Sequence, residues 1–136
     1  MKELTIDALV ENLEKVNAFV QESVGSLDCS PKSLIQLDVV VEEIFVNVAD
    51  YAYPEKNGSV TIHIETEKKP PKIKMVFIDG GLKYNPLKNE DPDITLPPEE
   101  RPVGGLGIFI VKNMVDDIFY EYADGKNILT FVKTLA

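Results

Sequence analysis

The sequence predicts an α+β fold, a two-layer sandwich in which helices cover one face of a mainly antiparallel sheet. Three observations predict it. Apolar residues step by three or four through residues 9–24 and again through 34–48, the spacing of two amphipathic helices. Two pairs of short apolar runs, 59–66 with 73–78 and 118–122 with 128–134, are each joined by turn-forming residues and read as two hairpins. A glycine-rich helix start at 104–107 stands between the two pairs, behind a long proline-rich stretch.

Composition agrees with one globular domain spanning residues 1–136. At 136 residues, 44% hydrophobic and 27% charged, the chain buries roughly two-thirds of the surface its unfolded form exposes. The net charge of −9 argues against direct nucleic-acid binding and against adhesion to an anionic membrane. Cys29 stands alone and forms no internal disulfide. The first residues lack the apolar core of a signal peptide, and no apolar run reaches the ~18–20 residues of a membrane span. A cytoplasmic protein is expected.

The elements follow in order. A short strand is expected at 2–6, then a helix carrying Leu9, Leu13, Val16, Val20 and Val24 on one stripe. Gly25 to Pro31 breaks the pattern. Ser30 is a good N-cap with Pro31 at the first helical position, and Leu34, Leu37, Val41, Ile44 and Val48 mark a second helix that stops near Pro54. Residues 67–72, rich in Lys and Pro, read as an exposed connection between two strands. Residues 82–103 hold five of the nine prolines and read as a loop of a length that often forms a functional lid. A third helix is expected from 105 to about 115, then a hairpin across Asp124-Gly125.

Three short segments carry chemistry. In the second helix Glu43, Asn47 and Asp50 are spaced by four and three and share a face. An acid, an amide and an acid there suit Mg²⁺, which takes oxygen ligands, or suit a general base; a solvated helix face has the same composition. Asp79-Gly80-Gly81 follows a buried apolar strand, where a carboxylate can accept from an exocyclic amine and the glycines permit close approach. A plain Asp-Gly turn would look alike. Gly104-Gly105-Leu106-Gly107 opens the third helix, where free backbone N–H groups and the helix dipole favour an anion, although a ligand-free hinge has the same glycines. The segment matches neither the dinucleotide pattern nor the Lys-Ser/Thr phosphate loop.

Taken in order, Glu-x-x-x-Asn on a helix, Asp-x-Gly after a strand and Gly-x-Gly opening a helix behind a long loop, this set resembles the Bergerat-type ATP-binding fold of the gyrase, heat-shock-chaperone and histidine-kinase superfamily. The resemblance covers about residues 35–135. Tyr84-Asn85-Pro86 after Asp79-Gly80-Gly81, and the run from Gly104 to Val111, look most like bacterial anti-sigma-factor serine kinases of the RsbW and SpoIIAB type. By that resemblance Glu43 is the catalytic base, Asn47 ligates Mg²⁺, and Asp79 bonds the adenine amine beside Gly81. Asp50 reaches the site through water, and Tyr84 belongs to the nucleotide-binding set. Gly105, Leu106 and Gly107 border the phosphates, and residues 82–104 form an ATP lid whose Arg101 reaches the terminal phosphate. Tyr51 stands where many relatives carry His, a departure. Phe45 and Tyr53 are expected in the core, and His63 at an unremarkable strand position.

The resemblance implies ATP and Mg²⁺ as cofactors, and as partners a sigma factor, an anti-anti-sigma protein of the STAS type and a second copy in a homodimer. The function it implies is a protein serine/threonine kinase that acts as an anti-sigma factor. A non-catalytic regulator whose ATP occupancy sets partner affinity is the alternative. A detached ATP-binding half of a histidine kinase is disfavoured, because the one histidine, His63, falls in a strand. The first fifty residues hold −7 of the net charge, so an ATP site there needs Mg²⁺, backbone N–H groups and a cation to offset it.

Overall fold

Alternation along the strands decides which face of the sheet is covered. The computed structural model describes residues 1–88 and 106–136, apart from the side chain of Leu106. Its strands are β1 (Lys2–Asp7), β2 (Ser59–Lys68), β3 (Pro71–Asp79), β4 (Asp117–Ala123) and β5 (Lys126–Thr134). They form one sheet in the order β1-β2-β3-β5-β4, and each neighbouring pair is antiparallel. On β2 and β3 the residues Val60, Ile62, Ile64, Ile73, Met75 and Phe77 point inward and are buried. Register sets Ile62 beside Phe77 and Phe77 beside Leu129, so one apolar row crosses three strands. The same face ends in a polar pair, Asp79 opposite Asn127.

Helices α1 (Leu13–Val24), α2 (Pro31–Tyr51) and α3 (Leu106–Met114) supply the other half of the core. Val16, Val20 and Val24 of α1, Leu37, Val41, Ile44 and Phe45 of α2 and Val111 of α3 join one buried cluster with the inward strand residues. Each large side chain buried there contributes about 1.5–3 kcal/mol. The opposite sheet face is more polar: Thr5 and Thr61 hydroxyls lie 2.9 Å apart, and His63 Nε2 lies 2.7 Å from Glu3 Oε1 across the β1–β2 ladder.

α2 begins as expected, with Ser33 N–H donating to Ser30 Oγ at 3.1 Å and Pro31 in the first turn. It ends at Tyr51, three residues short of Pro54. α1 starts later than its apolar stripe, because Leu9 is extended and residues Val10–Asn12 form a 3₁₀ turn. The larger difference is at 67–72. Strand pairing continues through Glu67 with Lys72 and Lys68 with Pro71, leaving only Lys69 and Pro70, joined by a cis peptide bond, as the turn. Charged residues resemble a loop in sequence, yet ladder hydrogen bonds use only the backbone, and Glu67 facing Lys72 is a favourable cross-strand pair. The second hairpin turns on Asp124 and Gly125, both at positive φ (54° and 74°), the geometry that suits the twist of paired strands.

Candidate functional site

The site lies where the C-terminal half of α2, the ends of β3 and β5, and the start of α3 meet. Ile44 and Phe45 face the core, which turns the flank bearing Glu43, Asn47 and Asp50 toward α3. Two cavities lie along this flank. A narrow one, of about 40 Å³, is lined by Ile44, Val48, Phe77 and Leu129 with Asp79, Tyr120 and Asn127 as its polar groups. Tyr51 and Tyr84 also line it, both part-exposed, their ring centroids 5.8 Å apart. The second, of about 300 Å³, is bounded by Glu43, Val46, Asp50, Gly107 and Ile108. Asn47 and Tyr51 line both. A roomier depression, about 580 Å³, lies at the other end of β3 beside Lys2, Glu67 and Lys72, away from all of these residues.

Asp79, 6% exposed, is the polar floor of the narrow cavity. Its Oδ1 accepts from Gly81 N–H at 3.0 Å and from Asn127 Nδ2 at 2.9 Å, while Oδ2 takes no hydrogen bond among the described residues. Asn127 Nδ2 also donates to Leu82 O at 2.8 Å, and its Oδ1 accepts Tyr84 N–H at 3.1 Å and the Tyr120 hydroxyl. Burial pushes the Tyr120 phenol up from its ordinary pKa, and the charge of Asp79 adds to the rise while the Tyr84 backbone opposes it.

Glycines in this region are required first by the chain itself. A Cβ on Gly81 would stand 2.2 Å from Ala52 O, so the turn after Asp79 packs directly on the end of α2, and Leu82 N–H donates to that same Ala52 O at 2.9 Å. A Cβ on Gly107 would stand 2.2 Å from Glu43 Oε2, which places the Glu43 carboxylate against the N-terminal turn of α3. Asp50 is exposed, with Lys56 Nζ 3.8 Å from its Oδ1; the same ammonium donates to Ala49 O at 2.6 Å near the end of α2.

Glu43, Asn47, Asp50, Gly107, Asp79, Gly81 and Tyr84 thus fall in one continuous region, and Leu106 is the first residue of α3. Arg101, Gly105 and residues 89–104 of the expected lid lie outside the described residues. Phe45 is fully buried, as expected of a core residue. Tyr53 packs against the core but also does more: its hydroxyl accepts Gly80 N–H at 2.9 Å and donates to Ser59 O at 2.7 Å, bridging the end of β3 and the start of β2. Asn127 and Tyr120 were not singled out from sequence, since nothing local distinguishes an Asn after Asp-Gly-Lys from an ordinary turn residue. Their inward alternation on paired strands was the only available signal.

The donor set suits a nucleotide with a divalent cation. A carboxylate oxygen without a partner among the described residues borders a mainly apolar slot, and Glu43, Asn47 and Asp50 offer oxygens beside a helix N-terminus. Among the described residues no three His, Cys, Asp or Glu side chains form a metal cluster. Protein oxygens here would therefore be only part of a magnesium shell, as is usual when phosphates and waters complete it. Among the described residues no helix is long and apolar enough to cross a membrane.

Comparison with known proteins bears on the family and the fold. The family described as the histidine kinase-like ATPase domain matches residues 6–133. The serine-protein kinases RsbW of Bacillus mycoides (strain KBAB4) and Bacillus cereus (strain B4264) are each 27% identical over 97 residues, covering 68% of this chain and 59% of theirs. The chain thus spans less than two-thirds of the length of these relatives. Among solved structures, the RsbU and RsbW domains of a Mycobacterium tuberculosis protein superpose with a TM-score of 0.62 at 14% identity, over 99% of this chain and 33% of that one. The catalytic domain of the histidine kinase ThkA superposes with a TM-score of 0.54 at 12% identity, over 99% of this chain and 98% of that one. With the family match running from the end of β1 through both cavities and the other four strands, the chain belongs to the histidine kinase-like ATPase domain family.

Proposed function

We propose that the chain is an ATP-dependent protein serine/threonine kinase that also serves as an anti-sigma factor, phosphorylating a serine on an anti-anti-sigma protein of the STAS type. The observation that carries the nucleotide part is the position of Asn47 on the wall of both cavities. A nucleotide laid along that wall has its base beside Asp79 and its phosphates between Glu43 and the start of α3. The names of the RsbW relatives support the serine kinase part. A homodimer, a sigma factor as second partner and a cytoplasmic setting belong to the same proposal.

In this scheme each residue has a defined task. Asp79 accepts the base amine through Oδ2, while Ile44, Val48, Phe77 and Leu129 exclude water from the ring. Asn47 offers its side-chain oxygen to Mg²⁺, and Asp50 orients water near it. Bound Mg²⁺ neutralises phosphate charge, which matters beside so acidic a helix. Gly105, Leu106 and Gly107 keep backbone N–H groups toward the phosphates, and Gly81 and Tyr84 border the base. Glu43 takes the proton of the incoming serine hydroxyl on a carboxylate oxygen. The lid, 82–104, and its Arg101 close the site.

The test is transfer of radiolabelled γ-phosphate from Mg-ATP to a co-encoded anti-anti-sigma protein by the full chain. Label on serine is expected, falling about 10²–10⁴-fold in Glu43→Gln with ATP binding retained. ATP binding without any transfer to partner would overturn the kinase assignment and leave an ATP-dependent binding regulator.

A further inference from the structure

The amide of Asn127 is saturated, and two of its four bonds go to backbone groups whose polarity is fixed. Leu82 O can only accept, and Tyr84 N–H can only donate. These two settle which end of the amide faces which way. Nδ2 must face Leu82 O, and its second hydrogen then goes to Asp79 Oδ1 at 2.9 Å. Gly81 N–H adds a second donor to that same oxygen at 3.0 Å. Oδ1 is therefore committed to accepting from the protein, and Oδ2 is the atom left for the cavity.

We propose that Asn127 is a positioning residue for base selectivity: by holding Asp79 Oδ1 it presents Oδ2 as an acceptor, so the cavity takes a purine whose 6-position carries an amine and rejects one carrying a carbonyl. The inference rests on the nucleotide reading of the site. Asn127 touches the base only through Asp79. A 6-oxo group placed where the amine would sit sets acceptor against acceptor at Oδ2, and such a base can pair there only by shifting to bring its N1–H round, which a slot of about 40 Å³ resists.

The lock has a consequence that a structural role alone would not produce. In Asp79→Asn the new amide must still offer an oxygen to the Asn127 and Gly81 donors, so its nitrogen is turned into the cavity. The preference then reverses toward a 6-oxo purine instead of merely weakening. Removing Asn127 leaves Gly81 N–H as the one remaining donor to that oxygen, so the new amide is held less firmly and the reversed preference weakens.

Calorimetric binding of Mg-ATP and Mg-ITP to the full chain tests this, with thermal unfolding to confirm that each variant folds. The unmodified chain is expected to favour ATP by about tenfold or more, and Asp79→Asn to favour ITP. Adding Asn127→Ala, or Asn127→Leu where the alanine variant does not fold, should lower that ITP preference by about threefold or more, with Gly81 N–H holding the remainder. If loss of Asn127 leaves the reversed preference unchanged, the role assigned to Asn127 is wrong while the nucleotide site stands. If the unmodified chain binds neither nucleotide, the proposed function itself fails, and this inference with it.

Discussion

Glu43 on α2 and Gly107 on α3 compete for one small volume: a Cβ on Gly107 would stand 2.2 Å from Glu43 Oε2 and 3.2 Å from its Cδ. Gly107→Ala should therefore move the end of a flexible side chain and leave the backbone in place. Alanine also suits a helix better than glycine by about 0.5–1 kcal/mol, so thermal stability should hold or rise slightly. Activity should move the other way, with phosphoryl transfer down about tenfold or more, because the displaced carboxylate loses its aim. Equal transfer rates in the two proteins would show that the position of Glu43 does not matter to the reaction.

Gly58 and Gly125 are a contrasting pair for unfolding experiments. A Cβ on Gly58 would stand 2.1–2.3 Å from three ring atoms of Tyr53, whose hydroxyl bridges Ser59 O and Gly80 N–H. Gly125 has φ of 74° and nothing within 4 Å of a Cβ, so only backbone strain opposes its substitution. Urea denaturation should show Gly58→Ala losing about 2–4 kcal/mol and Gly125→Ala about 1–2 kcal/mol. The reverse order would mean that the Tyr53 bridge is dispensable.

Lys133 is buried on β5, 4% exposed, with its ammonium donating to Gln36 Oε1 at 2.9 Å and to Met114 O, the last residue of α3. It ties α2 to α3 and caps the latter. Burial lowers its pKa below 10.5, opposed by Asp116 and assisted by Lys32. Between the lowered value and 10.5 the unfolded chain holds more protons than the folded one, so this residue makes stability rise with pH across that window. Lys133→Met should cost about 1–3 kcal/mol near neutrality, by leaving both acceptors unpaired, and should abolish that rise. Parallel pH profiles of unfolding free energy for the two proteins over the alkaline range below 10.5 would contradict it.

Ser30→Ala removes the side chain that accepts Ser33 N–H at 3.1 Å, while Pro31 remains to start the helix. The expected loss is about 1 kcal/mol, read from the denaturation midpoint with an unchanged slope. The candidate site is far along α2, so nucleotide affinity should not change; a drop in affinity would mean that the whole helix shifts when its start is loosened.

What was legible from the chain alone is what adjacent residues decide between themselves. Ser30-Pro31 starts α2, Asp124-Gly125 turns the second hairpin, and the three-and-four spacing of Glu43, Asn47 and Asp50 sets them on one flank. Caps, turns and helical periodicity are short-range effects, so they survive reading in one dimension. The bonds around Asp79 are of another kind. Asn127 is 48 residues from Asp79, Tyr53 is 27 from Gly80, and Gly81 meets Ala52 only because the sheet carries β3 back to the end of α2. Those pairings follow from the β3–β5 register and from how α2 lies on the sheet, both set by burial of the whole apolar core and by no single local segment. The motif residues that line the two cavities were therefore readable in the sequence, whereas the hydrogen bonds that hold each side chain in place were decided only when distant segments met.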